Sequence, residues 1–117
     1  MEQLPETPDL PVDTVLTVLT TTDSVAKAQA LAAGAVEARH AACAQVSGPV
    51  TSVYRWEGAV TTDQEWQVLL KTTADGYPAL ERWLTDAHDY DTPEIIATPV
   101  VRGSADYLRW VRAETGK

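Results

Sequence analysis

The sequence contains no phenylalanine, a single cysteine and only two histidines. One cysteine excludes an intrachain disulfide and any cysteine-based zinc-finger spacing, and a reducing, cytoplasmic setting is the expectation. Basic residues are also scarce, with nine Lys and Arg against seventeen Asp and Glu and a formal charge of −8. Such a surface repels phosphate backbones, so nucleic acid is not an expected partner. No apolar run approaches the length of a membrane span, and residues 1–11 lack the basic and apolar regions of a signal peptide. There is no Gly-rich phosphate loop, no His-Glu-x-x-His and no Gly-x-Ser-x-Gly, so no catalytic template is present and no enzyme is expected.

What is present is a chain of 117 residues, 44% hydrophobic, with four Trp and four Tyr. That length and composition suit one domain with a real core. Residues 1–12 carry Pro5, Pro8 and Pro11 among Glu2, Glu6 and Asp9. They read as a disordered acidic tail, leaving residues 13–117 as the domain.

Residues 14–21 are β-branched and bounded by Asp13 and Asp23, which predicts a first strand. From Ser24 to about His40, apolar residues recur at helical spacing, and Gly34 inside that helix costs about 1 kcal/mol of propensity that close packing can offset. Residues 41–54 predict a second strand interrupted at Gly48-Pro49, and residues 63–73 a third in which Trp66, Val68 and Leu70 alternate with polar residues. The two form a long hairpin reaching past the domain body, since ten residues of strand span about 33 Å. Tyr77, Leu80, Trp83, Leu84 and Ala87 stripe a second helix that ends at His88. Residues 94–101 read as a fourth strand apolar on both faces, and Ser104 caps a short third helix. The order predicts an α+β fold: a ferredoxin-like β-α-β-β-α-β sandwich, an antiparallel four-stranded sheet and an extra C-terminal helix. With both long helices on one face, the apolar residues of the other face call for an oligomer, and base rates favour a dimer.

The stretch from His88 to Ile95 concentrates an imidazole, a phenol and three carboxylates at a helix-to-strand junction. It reads as a ligand site or as a helix end followed by a turn. His88 is a candidate metal ligand through a neutral imidazole; alternatively its cationic form complements the helix C-terminus. Cys43 is a candidate soft ligand for copper, or a small buried thiol. His40, three positions before Cys43, is a weaker candidate.

Gly48, the run Thr51-Ser52-Val53-Tyr54-Arg55-Trp56-Glu57-Gly58, Lys71-Thr72, His88, Tyr90, Thr92-Pro93-Glu94, Pro99-Val100, Gly103 and Tyr107-Leu108-Arg109-Trp110 together resemble the divalent-cation tolerance protein family CutA. The resemblance covers roughly residues 14–113. It implies a tight homotrimer in which the long hairpin reaches a neighbour, in place of the dimer. It also implies tolerance of copper and other divalent metal ions, with no established enzyme reaction and no cofactor required for folding. Metal ligands would be His88, Cys43, Asp89 and Glu94. An inter-subunit cleft would be lined by Tyr54, Trp56, Glu57, Lys71, Tyr90 and Trp110, which alternatively lock the subunits together as aromatic anchors and an ion pair of Lys71 with Glu57 or Glu94. The chain departs from the family where many members have proline between His88 and Tyr90. Asp89 stands there, an oxygen donor suited to a harder ion. Ala87 replaces a second histidine found in some members, and Val60 a lysine found in many. Two other readings follow from the same residues: a small-ligand-binding signalling trimer similar to the PII proteins, and a structural trimer without ligand chemistry.

Overall fold

The structure, a computed structural model, describes residues 9–116. Of the expected tail, residues 1–8 lie outside the described part. Pro11 and Val12 are already tied to the body, their carbonyls accepting the N–H groups of Thr14 and Asp75.

Seven elements follow in order: β1 (Val15–Thr22), α1 (Val25–Glu37), β2 (Cys43–Trp56), β3 (Ala59–Thr73), α2 (Tyr77–Ala87), β4 (Ile96–Pro99) and α3 (Ala105–Glu114). The strands form one antiparallel sheet in the order β2-β3-β1-β4. This is the expected ferredoxin-like α+β arrangement with an added helix.

Alternation along the central strands sorts side chains to two faces. Val18, Val68 and Leu70 point toward the long helices and meet Ala28, Leu31 and Ala35 of α1 and Leu80 and Leu84 of α2. Each fully buried Val or Leu in this layer contributes about 1.5–3 kcal/mol relative to exposure. The small side chains of α1 bring the helices close. A Cβ on Gly34 would lie 2.6 Å from Cζ2 of Trp83, so the indole of α2 occupies the space a side chain would need.

Helix α1 starts where Ser24 accepts the N–H of Lys27 at 3.1 Å. It ends at Glu37, short of the expected His40, because Arg39 adopts a left-handed conformation (φ 62°) that turns the chain out of the helix. The hairpin is longer than expected. Glu57 (φ 48°) and Gly58 (φ 80°) make a two-residue turn, so Trp56 already faces Ala59 and β3 begins four residues before Asp63. The register shifts between Ser47 and Val50, at the Gly48-Pro49 interruption. The fourth strand is shorter than residues 94–101 and is exposed along its length, not buried on both faces. It is an edge strand that pairs β1 alone, and Pro99 has no N–H to extend the ladder.

The third helix lies on the other face of the sheet. Val111 packs on Val15 and Ala42 at the end where β1 begins. The rest of that face, around Leu19, Leu69 and Ile96, has no element over it among the described residues, and Ile96 is 53% exposed. Beyond it the hairpin projects with Val53, Tyr54, Trp56 and Val60 exposed.

Candidate functional site

His88 closes α2, its N–H still donating to the Leu84 carbonyl at 2.9 Å before the chain extends. Its imidazole is fully enclosed. Nε2 lies 2.7 Å from the carbonyl oxygen of Thr21, and Nδ1 lies 3.1 Å from the backbone nitrogen of Tyr90. A carbonyl only accepts and an N–H only donates, so the ring is the neutral tautomer with its proton on Nε2. Both nitrogens are therefore occupied. This corrects two expectations: His88 has no free lone pair for a metal, and it is not a cation serving the helix end. It ties the end of β1 to the loop after α2.

The following residues fan out from that tie. The Asp89 carboxylate sits 2.5 Å from Lys27 Nζ, which also binds Asp23 at 2.8 Å. The Lys27 bond holds the Asp89 carboxyl below the usual carboxylate range, while Asp23 and then Asp89 push Lys27 up to about 12. Asp89 is thus engaged in an ion pair. Tyr90 packs its ring on His88, with centroids 4.6 Å apart, and its hydroxyl donates to Glu65 Oε2 at 2.8 Å. Burial, and then that bond, hold the Tyr90 phenol well above the ordinary tyrosine range.

This loop, the end of β1 and the hairpin enclose a cleft of about 670 Å³. Tyr54, Trp56 and Tyr90 supply its aromatic surface, and Asp23, Asp63, Glu65, Asp91 and Glu94 its carboxylates. Tyr54 donates its hydroxyl to Asp63, which raises the phenol above its ordinary range. Of the residues expected to line a cleft, Tyr54, Trp56 and Tyr90 meet here, joined by Glu94 from the metal set. Glu65 was not singled out by sequence reasoning. Its only signal is its outward place in an alternating strand, and its partner lies 25 residues away.

The remaining expected residues are elsewhere. Lys71 donates to Gln45 Oε1 at 2.7 Å and pairs with neither Glu57 nor Glu94. Glu57 is at the hairpin tip, and Lys71 faces Cys43 twelve residues down β3 from Ala59. Trp110 is on α3, beside Tyr107 at 5.7 Å between ring centroids. Cys43 Sγ lies 3.5 Å from the Tyr107 hydroxyl, a contact that with burial pushes Tyr107 up to about 12. Cys43 is level with Lys71 and, across the sheet, with Thr17, whereas His88 holds Thr21. Four residues of strand separate those levels by about 13 Å, so Cys43 and His88 cannot hold one ion within a chain, where ligand bonds are about 2.0–2.3 Å. His40 instead faces Trp83, its ring centroid 6.2 Å from the indole. Among the described residues no three His, Cys, Asp or Glu side chains converge to hold a metal.

These features sit in a chain with clear relatives. The family model described as CutA1 divalent ion tolerance protein matches residues 16–114. The divalent-cation tolerance protein CutA of Thermus thermophilus is 42% identical over 99 residues, covering 85% of this chain and 96% of the relative. Its kind recurs among solved structures: a divalent cation tolerance protein (Cut A1) from Thermus thermophilus has a TM-score of 0.85 and 41% identity, covering 87% of this chain and 99% of that one. A protein titled periplasmic divalent cation tolerance protein CutA, from Archaeoglobus fulgidus, has a TM-score of 0.82 at 27% identity and covers 86% of this chain and 97% of its own. With the fold, the hairpin and the matched span in agreement, the chain belongs to the CutA1 divalent ion tolerance protein family.

Proposed function

We propose that the protein is a cytoplasmic homotrimer that serves the response to divalent metal ions, binding copper or another divalent cation with donors from more than one copy. Family membership supports the metal-tolerance role. The observation that supports the assembly is the half of the sheet face around Leu19, Leu69 and Ile96 that no element among the described residues covers, continued by a hairpin bearing exposed Tyr54 and Trp56. Of the four expected metal donors, His88 and Asp89 are engaged inside the chain. Cys43 and Glu94 remain, one on β2 and the other just before β4, the strands at opposite edges of the sheet, and two donors are too few to chelate alone. A bound ion therefore draws on a neighbouring copy, with the Cys43 thiolate selecting a soft ion such as copper.

Sedimentation equilibrium, read beside a copper titration of the wild type and the Cys43→Ser and Glu94→Gln variants, tests this. The expected result is three times the 12.7 kDa chain mass and copper heats diminished in at least one variant. A monomer, or isotherms indifferent to both changes, overturns the reading.

A further inference from the structure

We infer that His88 is a pH latch: a proton taken up at Nδ1 releases Tyr90 and the loop after α2, and Asp89 becomes the ring's new partner. The first observation is how the neutral ring is held. Nε2 donates to the Thr21 carbonyl at 2.7 Å, and Nδ1 accepts the Tyr90 N–H at 3.1 Å. Only a neutral imidazole does both. A proton entering from solvent at Nδ1 sets two N–H donors against each other, and the bond to Tyr90 is lost. The side chain is fully enclosed, where a charged ring with an unmatched donor is costly. Charging the ring and releasing Tyr90 are therefore one event.

The second observation is that the alternative partner already stands beside the ring. Asp89 Oδ1 lies 3.7 Å from Nδ1, while Oδ2 of the same carboxylate takes the Lys27 ammonium. Once the Tyr90 bond is broken, a rotation of the loop brings Oδ1 into charge-assisted hydrogen-bond distance of the protonated ring. The surrounding charges favour that state. Asp89 faces the ring from the loop, Lys27 from α1 and, behind Lys27, Asp23 from the turn after β1. On the same side α2 and β1 present uncharged residues, Trp83, Ala87 and Thr22. Glu65 of β3 stands beyond Tyr90, on its hydroxyl. Two carboxylates against one ammonium leave a net negative charge beside the ring, and an opposite charge nearby favours the imidazolium.

The third observation concerns the route in and the effect. His88, Asp89 and Lys27 border a depression of about 300 Å³ between α1 and α2, on the helical side of the sheet. The proposed assembly uses the opposite face and the hairpin, so a proton reaches the latch in the assembled protein as well. Tyr90 faces the other way, into the cleft beside the hairpin, with its hydroxyl on Glu65. The latch thus carries a change of acidity on the helical side to the wall of the hairpin cleft. The Tyr90 phenol, held above its ordinary range, stays neutral throughout. Neither Cys43 nor Glu94 is among the partners of the ring, so the latch and the copper reading stand independently.

Nitrogen NMR of the labelled full chain without added metal, followed from about pH 8 to about pH 5, tests the inference; imidazoles titrate in that window while carboxylates ordinarily stay ionised. With only two histidines in the sequence, His40→Gln leaves a single ring to follow and should keep the response. The expected result is a His88 ring that passes from the Nε2-protonated neutral form to the imidazolium, with the Tyr90 amide signal moving along the same curve. Exchange of that amide, corrected for its intrinsic pH dependence, should accelerate about tenfold. Asp89→Asn should move the response to more acid pH, and His88→Gln should abolish it. Asp89 is half-exposed, so its variant keeps the test valid if His88→Gln misfolds. A ring that stays neutral down to about pH 5, a ring that charges while the Tyr90 amide stays in place, or a response unchanged in Asp89→Asn overturns the inference. Copper is absent from these samples, so none of these outcomes bears on the copper reading.

Discussion

The imidazole of His88 accepts the backbone N–H of Tyr90 at 3.1 Å. With the opposite nitrogen donating to Thr21, the residue that most resembles a metal ligand in the sequence is a fully satisfied cross-brace. His88→Ala should then lower the free energy of unfolding by about 2–4 kcal/mol, since it leaves two backbone groups unpaired and opens a cavity. Denaturant unfolding measures this. Copper affinity per folded chain should stay the same, and a lost copper site in a folded His88→Gln variant would contradict the assignment.

Thr20 makes the opposite case. Its hydroxyl is fully buried and has no hydrogen-bond partner among the described residues. Thr20→Val keeps the shape and removes the orphan, so stability should rise by about 1 kcal/mol. A loss of similar size in thermal or urea unfolding would mean that the hydroxyl is satisfied in solution.

Gly34 sits under the Trp83 ring, where a Cβ would come within 2.6 Å. Gly34→Ala improves helix propensity by about 1 kcal/mol, yet overpacking should outweigh it and leave a net cost of about 1–2 kcal/mol. Adding Trp83→Leu should cancel most of that overpacking, a non-additivity that a double-mutant cycle reads directly.

Tyr90 gives a pH dependence with a defined sign. Its phenol is held above the ordinary range, chiefly by burial. A folded value raised above the unfolded one means that the contribution is complete below about pH 10, the unfolded value, and is lost as pH rises through the folded value. Tyr90→Phe should cost about 1 kcal/mol near neutrality, the net worth of the bond to Glu65, and the gap to wild type should close in strong base. A gap that widens with rising pH would reverse the assignment.

Arg39 anchors the far end of α3. Its Nε donates to the Gly116 carbonyl at 2.7 Å and its Nη2 to the Ala113 carbonyl at 3.0 Å. It does so from a left-handed backbone that favours glycine. Arg39→Ala loses the clamp and keeps the strain; Arg39→Gly loses only the clamp. Amide exchange in α3 should accelerate in both, with the alanine variant the less stable by about 0.5–1 kcal/mol.

The order of elements was legible because each signal was local. The β-branched run of β1, the alternation at Trp66, Val68 and Leu70 and the stripe through Leu80 and Leu84 each lie within one element. The errors have a common cause in partners that are distant or absent. The fourth strand looked buried on both faces because Ile95, Ile96, Val100 and Val101 are apolar, but only the flanking Ile95 and Val100 pack on the core, and Ile96–Pro99 is left uncovered among the described residues. The end of α1 depended on one backbone angle at Arg39, which no periodicity encodes. The cleft was only half legible. Tyr54, Trp56 and Tyr90 were recognisable from the family pattern, whereas the role of Glu65 arises from a strand register that brings it under Tyr90. Likewise the sequence offers Cys43 and His88 as equals, and only the ladder separates them.

That ladder makes β1 a ruler. Thr17 near one end is level with the thiol and Thr21 near the other is held by the imidazole, and a strand laddered to β3 along its whole length does not shorten. The Cys43 thiol and the His88 imidazole consequently stay about 13 Å apart along the sheet, one level with Thr17 and the other tied to Thr21. A change at one end, such as modification of the Cys43 thiol beside Tyr107, therefore need not disturb the tie that His88 makes at the other.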